Sequence, residues 1–494
     1  MADDLVELHH AVIDVDDAGA VTLTQIAGRV PCRVSTAADS SDGPLGSATH
    51  VLAGAIVSIG ASRLRLDFDM PAPAQPASLT QLRGDPWRRS LHRTPRALPL
   101  WDPTPIAVSV EASDGSSRVG GLLAAMLAVV GGVAVAVVMK NPLFLVFAGV
   151  GFVVAVGNRL GGRLSDRRQR KQSAAEAKRE RQRFADDVAN QLADRISFHR
   201  SIAPTVDVTL TAARSMTGDV WSRRALHDDA FTVAMGWGTE SWTVSLGNGT
   251  LPPDADALVR EAQRLEGESV LTTLGSGQSL AIAGHHGAAV ARSLVVQLAT
   301  WTGPADWRLL VVVDNVDEWE WCGWLPHASS GAGSDVGPTL VGADDAARLN
   351  DVLSRLDDGD GRHVLLLTDR ADLLSTRTGP LRRYLGATES VAVIAVVANG
   401  VAVPSMCRSL LEVGTLCHAR WCPDTSMATT STSLHVAGVS LADADDVARR
   451  LARLHDPEDP FEAGGATPAD VSLSNLLKRW GNGAVDDPIA IAAG

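Results

Sequence analysis

The feature that most constrains this chain is a pair of uncharged apolar runs separated by a short turn signal. Val119–Met139 has 21 residues without a charge. At roughly 1.5 Å per residue such a helix is long enough to cross a bilayer. Lys140-Asn141-Pro142 stops the first helix, and Leu143–Gly157 is again uncharged. The sequence predicts a tight antiparallel transmembrane hairpin, and the alternative is a buried helical hairpin inside a water-soluble core.

Basic residues flank this predicted hairpin on both sides. Arg93 and Arg118 precede it and Arg159 and Arg163 follow it, whereas its turn carries a single Lys. Because loops rich in Lys and Arg stay on the cytoplasmic side, we expect both termini in the cytoplasm. The predicted location is the cell inner (plasma) membrane, as a multi-pass protein whose basic flank also contacts membrane lipids.

The segment behind the hairpin is strongly charged. Its apolar residues recur every four positions, at Phe184, Val188, Leu192 and Ile196, and therefore line one face of a helix. We expect a basic helical stalk over 159–200. DNA is disfavoured as a partner because the whole chain carries a net charge of −13. The 5 cysteines are scattered, which predicts neither a disulfide framework nor a metal site.

The first 70 residues carry short runs typical of strands. The candidates are Ala11–Val15, Ala20–Gln25, Val51–Leu52, Ala55–Ile59 and Arg63–Phe68. The strings LHHAVIDVDDAGAVTLTQIAGRVPCRV and VLAGAIVSIGASRLRLDF resemble the latter two-thirds of a forkhead-associated (FHA) domain. This resemblance implies a partial β-sandwich with a phosphopeptide-binding face at His10. The Gly-Arg that grips phosphate in that family is missing here, so the alternative for His10 is a packing role.

Beyond Pro204 the chain alternates apolar strands with helices. Near-continuous Val/Leu/Ile runs occur at Ser279–Ala283, Arg308–Val313, His363–Leu367 and Val391–Val397. Runs of this kind separated by helices indicate a parallel sheet covered on both faces.

The turn after the first of these strands is where a nucleotide hydrolase would hold phosphate. A P-loop needs Gly-x-x-x-x-Gly-Lys-Ser/Thr. Here the turn reads AGHHGAAVAR, in which the glycines are wrongly spaced and neither the Lys nor the Ser/Thr is present. The candidate residues of this degenerate loop are Gly284, Gly287 and Arg292. No Gly-Lys-Ser or Gly-Lys-Thr occurs in the chain, although Asp314 and Asp369 end strands where an acid could hold Mg²⁺. We expect a degenerate P-loop NTPase-like domain whose nucleotide-binding loop has lost its chemistry.

Three tryptophans fall in one short segment, DEWEWCGWLPHASS at 317–330. Core packing is one explanation for such a cluster. Trp also supplies large rigid contact area at interfaces, so the segment also predicts a partner-docking surface. Its members would be Trp319, Trp321, Trp324, Leu325, Pro326 and His327.

Several strings together resemble the EccC-type, FtsK/SpoIIIE-like protein of type VII secretion systems. They are HRTPR at 92–96, the hairpin with the basic helix behind it, DVWSRRALHDDAFTVAMGWG at 219–238, DEWEWCGWLPHASS at 317–330 and ADVSLSNLLKRWG at 469–481. The tryptophan-rich string is the most specific of these. With an FHA-like module ahead of the hairpin, the chain is similar to an actinobacterial FHA–FtsK fusion variant.

This resemblance implies the membrane-anchoring and regulatory N-terminal part of a type VII secretion ATPase. It implies no catalytic residue, metal or cofactor in this chain, because ATP and Mg²⁺ belong to the motor domains of the family. The implied partners are other membrane subunits of a secretion complex and further copies of the chain. Two alternatives are an FHA-type phosphopeptide-binding membrane scaffold and an FtsK-like DNA translocase relative.

The expected fold class is therefore a multidomain membrane protein. Its expected parts are a partial FHA-like β-sandwich over 1–70, a Pro/Arg-rich linker over 71–118, a two-helix transmembrane hairpin over 119–158, a basic helical stalk over 159–200, a degenerate NTPase-like α/β domain with a parallel sheet over 201–465, and a linker to a missing motor domain over 466–494.

Overall fold

The computed structural model describes most of the chain between residues 10 and 459. The described ranges are 10–15, 21–26, 30–35, 49–51, 55–59, 62–66, 75–82, 85–97, 100–108, 175–176, 178–330, 337–357, 361–376, 378–388, 390–414, 418–426 and 431–459. The chain divides into two compact units. The first contains 1–100, 197–240 and 265–494, and the second contains 101–196 and 241–264.

The N-terminal part of the first unit contains two small antiparallel sheets. Their strands are β1 (Ala11–Val15), β2 (Val21–Gln25), β3 (Arg33–Ser35), β4 (Thr49–Val51), β5 (Ile56–Ile59) and β6 (Ser62–Arg65). One sheet has the order β1-β2-β4 and the other β3-β5-β6. A small core contains Leu23, Cys32, Val51, Val57 and Ile59. The region is therefore all-β where it is described, and its assignment to the FHA family stays a prediction.

The remaining strands of the first unit follow in chain order. They are β7 (Ser78–Gln81), β8 (Arg89–His92), β9 (Thr232–Ser241), β10 (Arg264–Thr273), β11 (Ser279–Ala283), β12 (Trp307–Val313), β13 (Ser329–Ser330), β14 (Gly337–Pro338), β15 (Leu340–Gly342), β16 (His363–Thr368), β17 (Val391–Val397), β18 (Ser409–Val413), β19 (His418–Cys422), β20 (Thr432–Val436) and β21 (Leu454–His455).

The helices that accompany these strands are mostly short. They are α1 (178–202), α2 (Val206–Ser215), α3 (Pro253–Ala262), α4 (Gly287–Trp301), α5 (Val316–Trp319), α6 (Ala346–Asp357), α7 (Ala371–Ser375), α8 (Pro380–Ala387) and α9 (Leu441–Leu451), with a 3₁₀ turn at Glu320–Trp324.

A ten-stranded sheet organises the α/β region, in the order β10-β9-β20-β19-β18-β11-β17-β16-β12-β15. The six strands from β18 to β15 in that order are mutually parallel. The pairs β18–β19, β19–β20 and β20–β9 are antiparallel. The four predicted apolar strands are present and mutually parallel, but the sheet to which they belong is mixed, because it continues into antiparallel strands. Strand β19 alternates exposed and buried residues, a pattern typical of antiparallel strands and weaker as a sequence signal than a continuous apolar run.

Helix α4 fills the centre of the core beside this sheet. It has 15 residues, of which all but Ala288 and Ala289 are buried. A helix enclosed on all sides needs apolar side chains around its whole circumference. Its polar Gln297 is satisfied because its side-chain amide donates to the Ala234 carbonyl at 2.8 Å and accepts from the Ala234 amide at 2.9 Å.

The structure corrects two predictions that depend on membrane-spanning helices. No helix within the described ranges is at once long enough and apolar enough to cross a bilayer. Helix α4, for example, is apolar but has 15 residues, and a crossing needs about 20. The fold class of a membrane protein and the location in the inner membrane are therefore wrong as stated. The predicted hairpin at 119–158 lies outside the described residues.

A hairpin of β7 and β8 lies in the segment that the sequence predicts to be a linker. Strand β8 pairs with β7 antiparallel and with β21 in parallel. The Arg89 amide also donates to the Arg453 carbonyl at 2.8 Å. This small sheet joins chain segments that precede and follow the ten-stranded sheet in sequence.

The second unit has its own contacts around an aromatic pair. Trp101 and Trp242 meet edge to face with ring centroids 5.8 Å apart, and Arg195 lies 5.3 Å from the Trp101 ring centroid. The Gln191 side chain accepts a hydrogen bond from the Ser245 amide at 2.8 Å.

Helix α1 lies in the segment for which the sequence predicts a helical stalk, and the stalk itself stays a prediction. The predicted apolar stripe faces inward, because Val188 is buried and Phe184, Leu192 and Ile196 are half-buried. The residues between them are mainly exposed, as expected for a one-sided helix.

Candidate functional site

The turn between β11 and α4 lies at the carboxyl edge of the parallel strands, where a nucleotide-binding fold would hold phosphate. It begins at Gly284, whose φ is +119°. A Cβ at this position would collide with the Val413 carbonyl oxygen, so the turn requires glycine. The Gly284 amide donates to the Val397 carbonyl, and the Gly287 amide donates to the Gly284 carbonyl. These two donors are used inside the protein and do not form a phosphate cradle.

Arg292 is also held by the protein itself. Its Nε donates to the Val439 carbonyl at 3.1 Å and its Nη1 donates to the Glu318 carboxylate at 3.0 Å. The structure therefore places Gly284, Gly287 and Arg292 on one strand–turn–helix, as the sequence predicts, but it does not direct their donors to a common point.

A surface cavity of about 540 Å³ lies beside Arg292. Its lining residues are Arg292, Asn315, Asp317, Glu318 and Leu441. The two carboxylates outnumber the one guanidinium, which is already paired with Glu318. Such a lining repels phosphate groups.

The acids at the ends of the neighbouring strands are likewise engaged. The Asp369 carboxylate accepts from the Asp314 amide at 2.8 Å, and burial raises the pKa of Asp369. The Arg370 guanidinium pairs with Asp314 at 2.6 Å and with Asp372 at 2.8 Å. A cation of the protein thus lies where a Mg²⁺-binding acid would be needed. The residues at this edge do not fit a Mg²⁺–nucleotide complex.

The opposite, amino edge of the parallel strands contains a buried charge cluster centred on Arg93. The Arg93 side chain has no exposed surface and pairs with Asp456, also fully buried, at 3.4 Å. Its Nε donates to the Trp221 carbonyl at 2.7 Å, and its Nη2 bonds to both Asp306 and the Arg223 carbonyl. We call Arg93 with these partners the Arg93 cluster. Burial raises the pKa of Asp456 to about 6, although Arg93 opposes that shift.

A second buried acid extends this edge. Asp459 accepts from Arg308 at 3.1 Å and from Arg362 at 3.1 Å, and its side chain is 1% exposed. Arg308 is the second residue of strand β12, and Arg362 directly precedes strand β16. A single carboxylate therefore joins the starts of two adjacent parallel strands to the segment after β21.

Three of the motifs that carried the family resemblance, at 92–96, 219–238 and 317–330, meet at this amino edge. Arg93 and Arg96 belong to HRTPR, and Arg96 pairs with Asp229 of the 219–238 motif at 2.6 Å. His327, from the tryptophan-rich motif, donates through its Nε2 to the Thr302 carbonyl at 2.8 Å and stacks on Trp307 with ring centroids 4.5 Å apart. Burial lowers the pKa of His327 to about 3, so the ring is neutral. These motifs build the interior of the domain.

The tryptophan-rich segment divides into core and surface. Trp319, Trp321 and Leu325 are buried, with exposures of 1%, 2% and 2%. Pro326 is half-buried, and His327 is in the core as described above. Trp324 alone among the three tryptophans is exposed, at 43%, and Arg449 lies 4.4 Å from its ring centroid. Direct docking through this segment is therefore restricted to the surroundings of Trp324.

His10 lies in the N-terminal β region and is buried. Its Nε2 lies 2.7 Å from the Val30 carbonyl oxygen, and the residue is 4% exposed. This geometry agrees with the packing alternative for His10.

The sequence does not predict Asp456 or Asp459 as members of a site. Both stand in a short acidic string with two prolines, DPEDP at 456–460, directly after the two-residue strand β21. An arginine at the start of an apolar strand, such as Arg308, is the matching signal, because a buried arginine requires a buried acid.

No protein-family model matches the chain, and no curated protein sequence matches it. Among solved structures, EssC (ATPases 2 and 3) from Geobacillus thermodenitrificans is similar at 9% identity and a TM-score of 0.31, over 44% of this chain and 48% of that one. The cytoplasmic domain of the Thermomonospora curvata type VII secretion ATPase EccC gives 12% identity and a TM-score of 0.30, over 40% and 30% of the two chains.

A third similar structure is Thermomonospora curvata EccC (ATPases 2 and 3) in complex with a signal sequence peptide. It gives 12% identity and a TM-score of 0.31, over 49% of this chain and 50% of that one. This chain thus spans half or less of each of the three. The structural neighbours are type VII secretion ATPase domains, and overlaps of this size do not establish a family for the chain.

Proposed function

We propose that the α/β region of this chain is a non-hydrolysing, ATPase-like module of a type VII-like, FtsK/SpoIIIE-type secretion machine. In this proposal it binds neither ATP nor Mg²⁺ and acts by contacting other subunits. The sequence motifs at 92–96, 219–238 and 317–330 provide the resemblance on which the secretion context depends.

The observation that carries the proposal is that the polar groups described at the carboxyl edge are already bonded to other groups of the protein. The Gly284 and Gly287 amides are used internally, Arg292 is tied to Val439 and Glu318, and Arg370 pairs with Asp314. Catalysis of phosphoryl transfer depends on donors and a metal ion that converge on the phosphates. None of the groups described at this edge is placed for that purpose.

Nucleotide titration of the full chain tests the first half of the proposal. Increasing ATP with and without Mg²⁺ should give no saturable binding in calorimetry, no rise in melting temperature and no phosphate release. Saturable binding that Arg370→Ala or Arg292→Ala alters would place a nucleotide at the carboxyl edge and contradict the proposal.

Partner capture tests the second half. We propose that the exposed Trp324 ring, with Arg449 stacked on it, contributes to a contact with a neighbouring secretion ATPase subunit. Trp324→Ala should reduce co-purification with that subunit. Trp87→Ala is the matched control, because Trp87 is 83% exposed and lies elsewhere on the first unit. Equal recovery of both variants would remove Trp324 from the proposed interface.

A further inference from the structure

Two histidines stand directly opposite each other on adjacent antiparallel strands of the large sheet. His418 on β19 is in register with His435 on β20. Along β19, Ala419 and Trp421 point to the core, and along β20, Leu434 and Val436 do so. Because successive side chains of a strand alternate between faces, both histidines lie on the opposite, outer face of the sheet. His418 is exposed and His435 is half-buried.

The two imidazoles are already in contact. Their ring centroids are 4.4 Å apart and their planes meet at 65°. Opposite residues of an antiparallel pair have Cβ atoms about 4.5–5.5 Å apart. Two imidazoles anchored at that spacing can direct one ring nitrogen each to a common point outside the sheet after small side-chain rotations. The backbone of the sheet fixes the spacing in advance, so little ordering is needed on binding.

From this geometry we infer that His418 and His435 together form a binding site for one divalent transition-metal ion of the Cu²⁺, Ni²⁺ or Zn²⁺ class. Neutral imidazole nitrogen is the ligand that these ions share. Among the described residues no third His, Cys, Asp or Glu joins the pair as a metal ligand. Water or a donor from a partner would complete the coordination, as in sites that keep open positions.

The charge around the pair permits a cation. Arg420, the nearest cation on the same face of β19, is bonded to the Glu412 carboxylate at 2.9 Å through its Nε. The two charges offset each other. Trp237 on β9 is in register with His435, so an ion bound at the pair would lie near an indole ring. The pair lies at the carboxyl edge, where the Gly414 amide, directly after β18, donates to the His418 carbonyl at 2.8 Å. The proposed metal site uses neither Gly284, Gly287 nor Arg292 and does not depend on the proposed function.

Copper and zinc binding to the full chain test this inference. One equivalent of Cu²⁺ should give an electron paramagnetic resonance spectrum with coupling to two imidazole nitrogens. His418→Gln and His435→Gln should each reduce that coupling to one nitrogen, and each should weaken Zn²⁺ binding in calorimetry by at least about tenfold. Both substitutions are on the outer face of the sheet, and unchanged melting without metal would show that the variants fold.

The matched control is the double variant His285→Gln/His286→Gln. These two rings are also in contact, with centroids 5.0 Å apart, but they come from consecutive residues of a turn. The control should bind Cu²⁺ and Zn²⁺ as the unsubstituted chain does. The inference is overturned if the unsubstituted chain shows no two-nitrogen copper site, or if that site survives in His418→Gln or His435→Gln.

Discussion

Arg93 and Asp456 are 363 residues apart in the sequence, and their side chains pair at 3.4 Å with neither exposed to solvent. Burying two charges is costly unless each finds partners inside the protein. The guanidinium satisfies this condition through Asp306 and the carbonyls of Trp221 and Arg223. The Arg93 cluster therefore fixes the segment before β9 against the segment after β21.

Replacing Arg93 by Met should destabilise the protein strongly. It leaves Asp456 buried without its cation, and breaking one partner of a buried pair costs about 3–5 kcal/mol. The free energy of unfolding in urea measures the effect. Arg420→Met is the control, because its pair with Glu412 is 61% and 34% exposed, and such pairs contribute about 1 kcal/mol or less. Equal losses in both variants would contradict the structural role of the Arg93 cluster.

His327 should make the stability depend on pH. Burial lowers its pKa to about 3 in the folded protein, whereas an unfolded histidine titrates near pH 6.5. The unfolded chain binds more protons between these values, so this contribution is complete above about pH 6.5 and is lost as the pH falls toward about 3.

The destabilisation caused by His327→Gln should therefore be smaller at about pH 5 than at about pH 7.5, by up to about 2 kcal/mol. Urea unfolding at the two pH values measures the difference. A His327→Gln cost that does not change with pH would mean that His327 titrates normally in the folded state.

Trp321→Ala should destabilise the protein much more than Trp324→Ala, because Trp321 packs in the core and Trp324 lies at the surface. Trp321 is 2% exposed, and its truncation leaves a cavity that costs about 3–5 kcal/mol. Trp324→Ala removes a partly exposed ring and its cation–π contact with Arg449. The expected loss of stability is about 1 kcal/mol. Chemical denaturation of both variants provides the comparison. A Trp321→Ala protein as stable as the unsubstituted chain would contradict its place in the core.

Gly284→Ala should destabilise the turn that follows β11. The positive φ alone costs about 1–3 kcal/mol, and the added Cβ meets the Val413 carbonyl oxygen. Gly386→Ala in helix α8 is the control, because no atom lies within 4 Å of a Cβ at Gly386. Thermal unfolding should show a lower midpoint for the first variant only. If Gly284→Ala unfolds at the same temperature as the unsubstituted chain, the backbone of the turn can shift to accommodate the added Cβ.

The sequence predicts secondary structure best where apolar residues form a continuous run or recur with a clear helical period. Strands β11, β12, β16 and β17 are such runs and are buried on both sides, and helix α1 shows a clear four-residue period. The antiparallel strands β19 and β20 have alternating buried and more exposed residues, so their sequences contain no continuous apolar run. These strands join the parallel strands through pairing between distant segments, which a local sequence pattern does not predict.

Among the candidate sites, those built from residues close in the sequence could be predicted, and those built from distant segments could not. The degenerate turn at Gly284 could be predicted because a P-loop is a local motif. The Arg93 cluster could not, because Arg93, Trp221, Asp306 and Asp456 come from four distant segments. Trp321 and Trp324 are three residues apart and have opposite environments, with exposures of 2% and 43%, a difference that their spacing in the sequence does not predict. The membrane prediction went wrong because it extended a local apolar pattern to a whole fold class.

The parallel pairing of β8 with β21 has a mechanical consequence. If a motor or a moving substrate pulls on the chain entering β8 and on the chain leaving β21, the two strands are loaded in opposite directions along their length. In that shear geometry the Leu454–Arg89 and His455–Ser90 contacts must yield together rather than one after another. Tension would then be transmitted through this joint, and the ten-stranded sheet would carry little of the load.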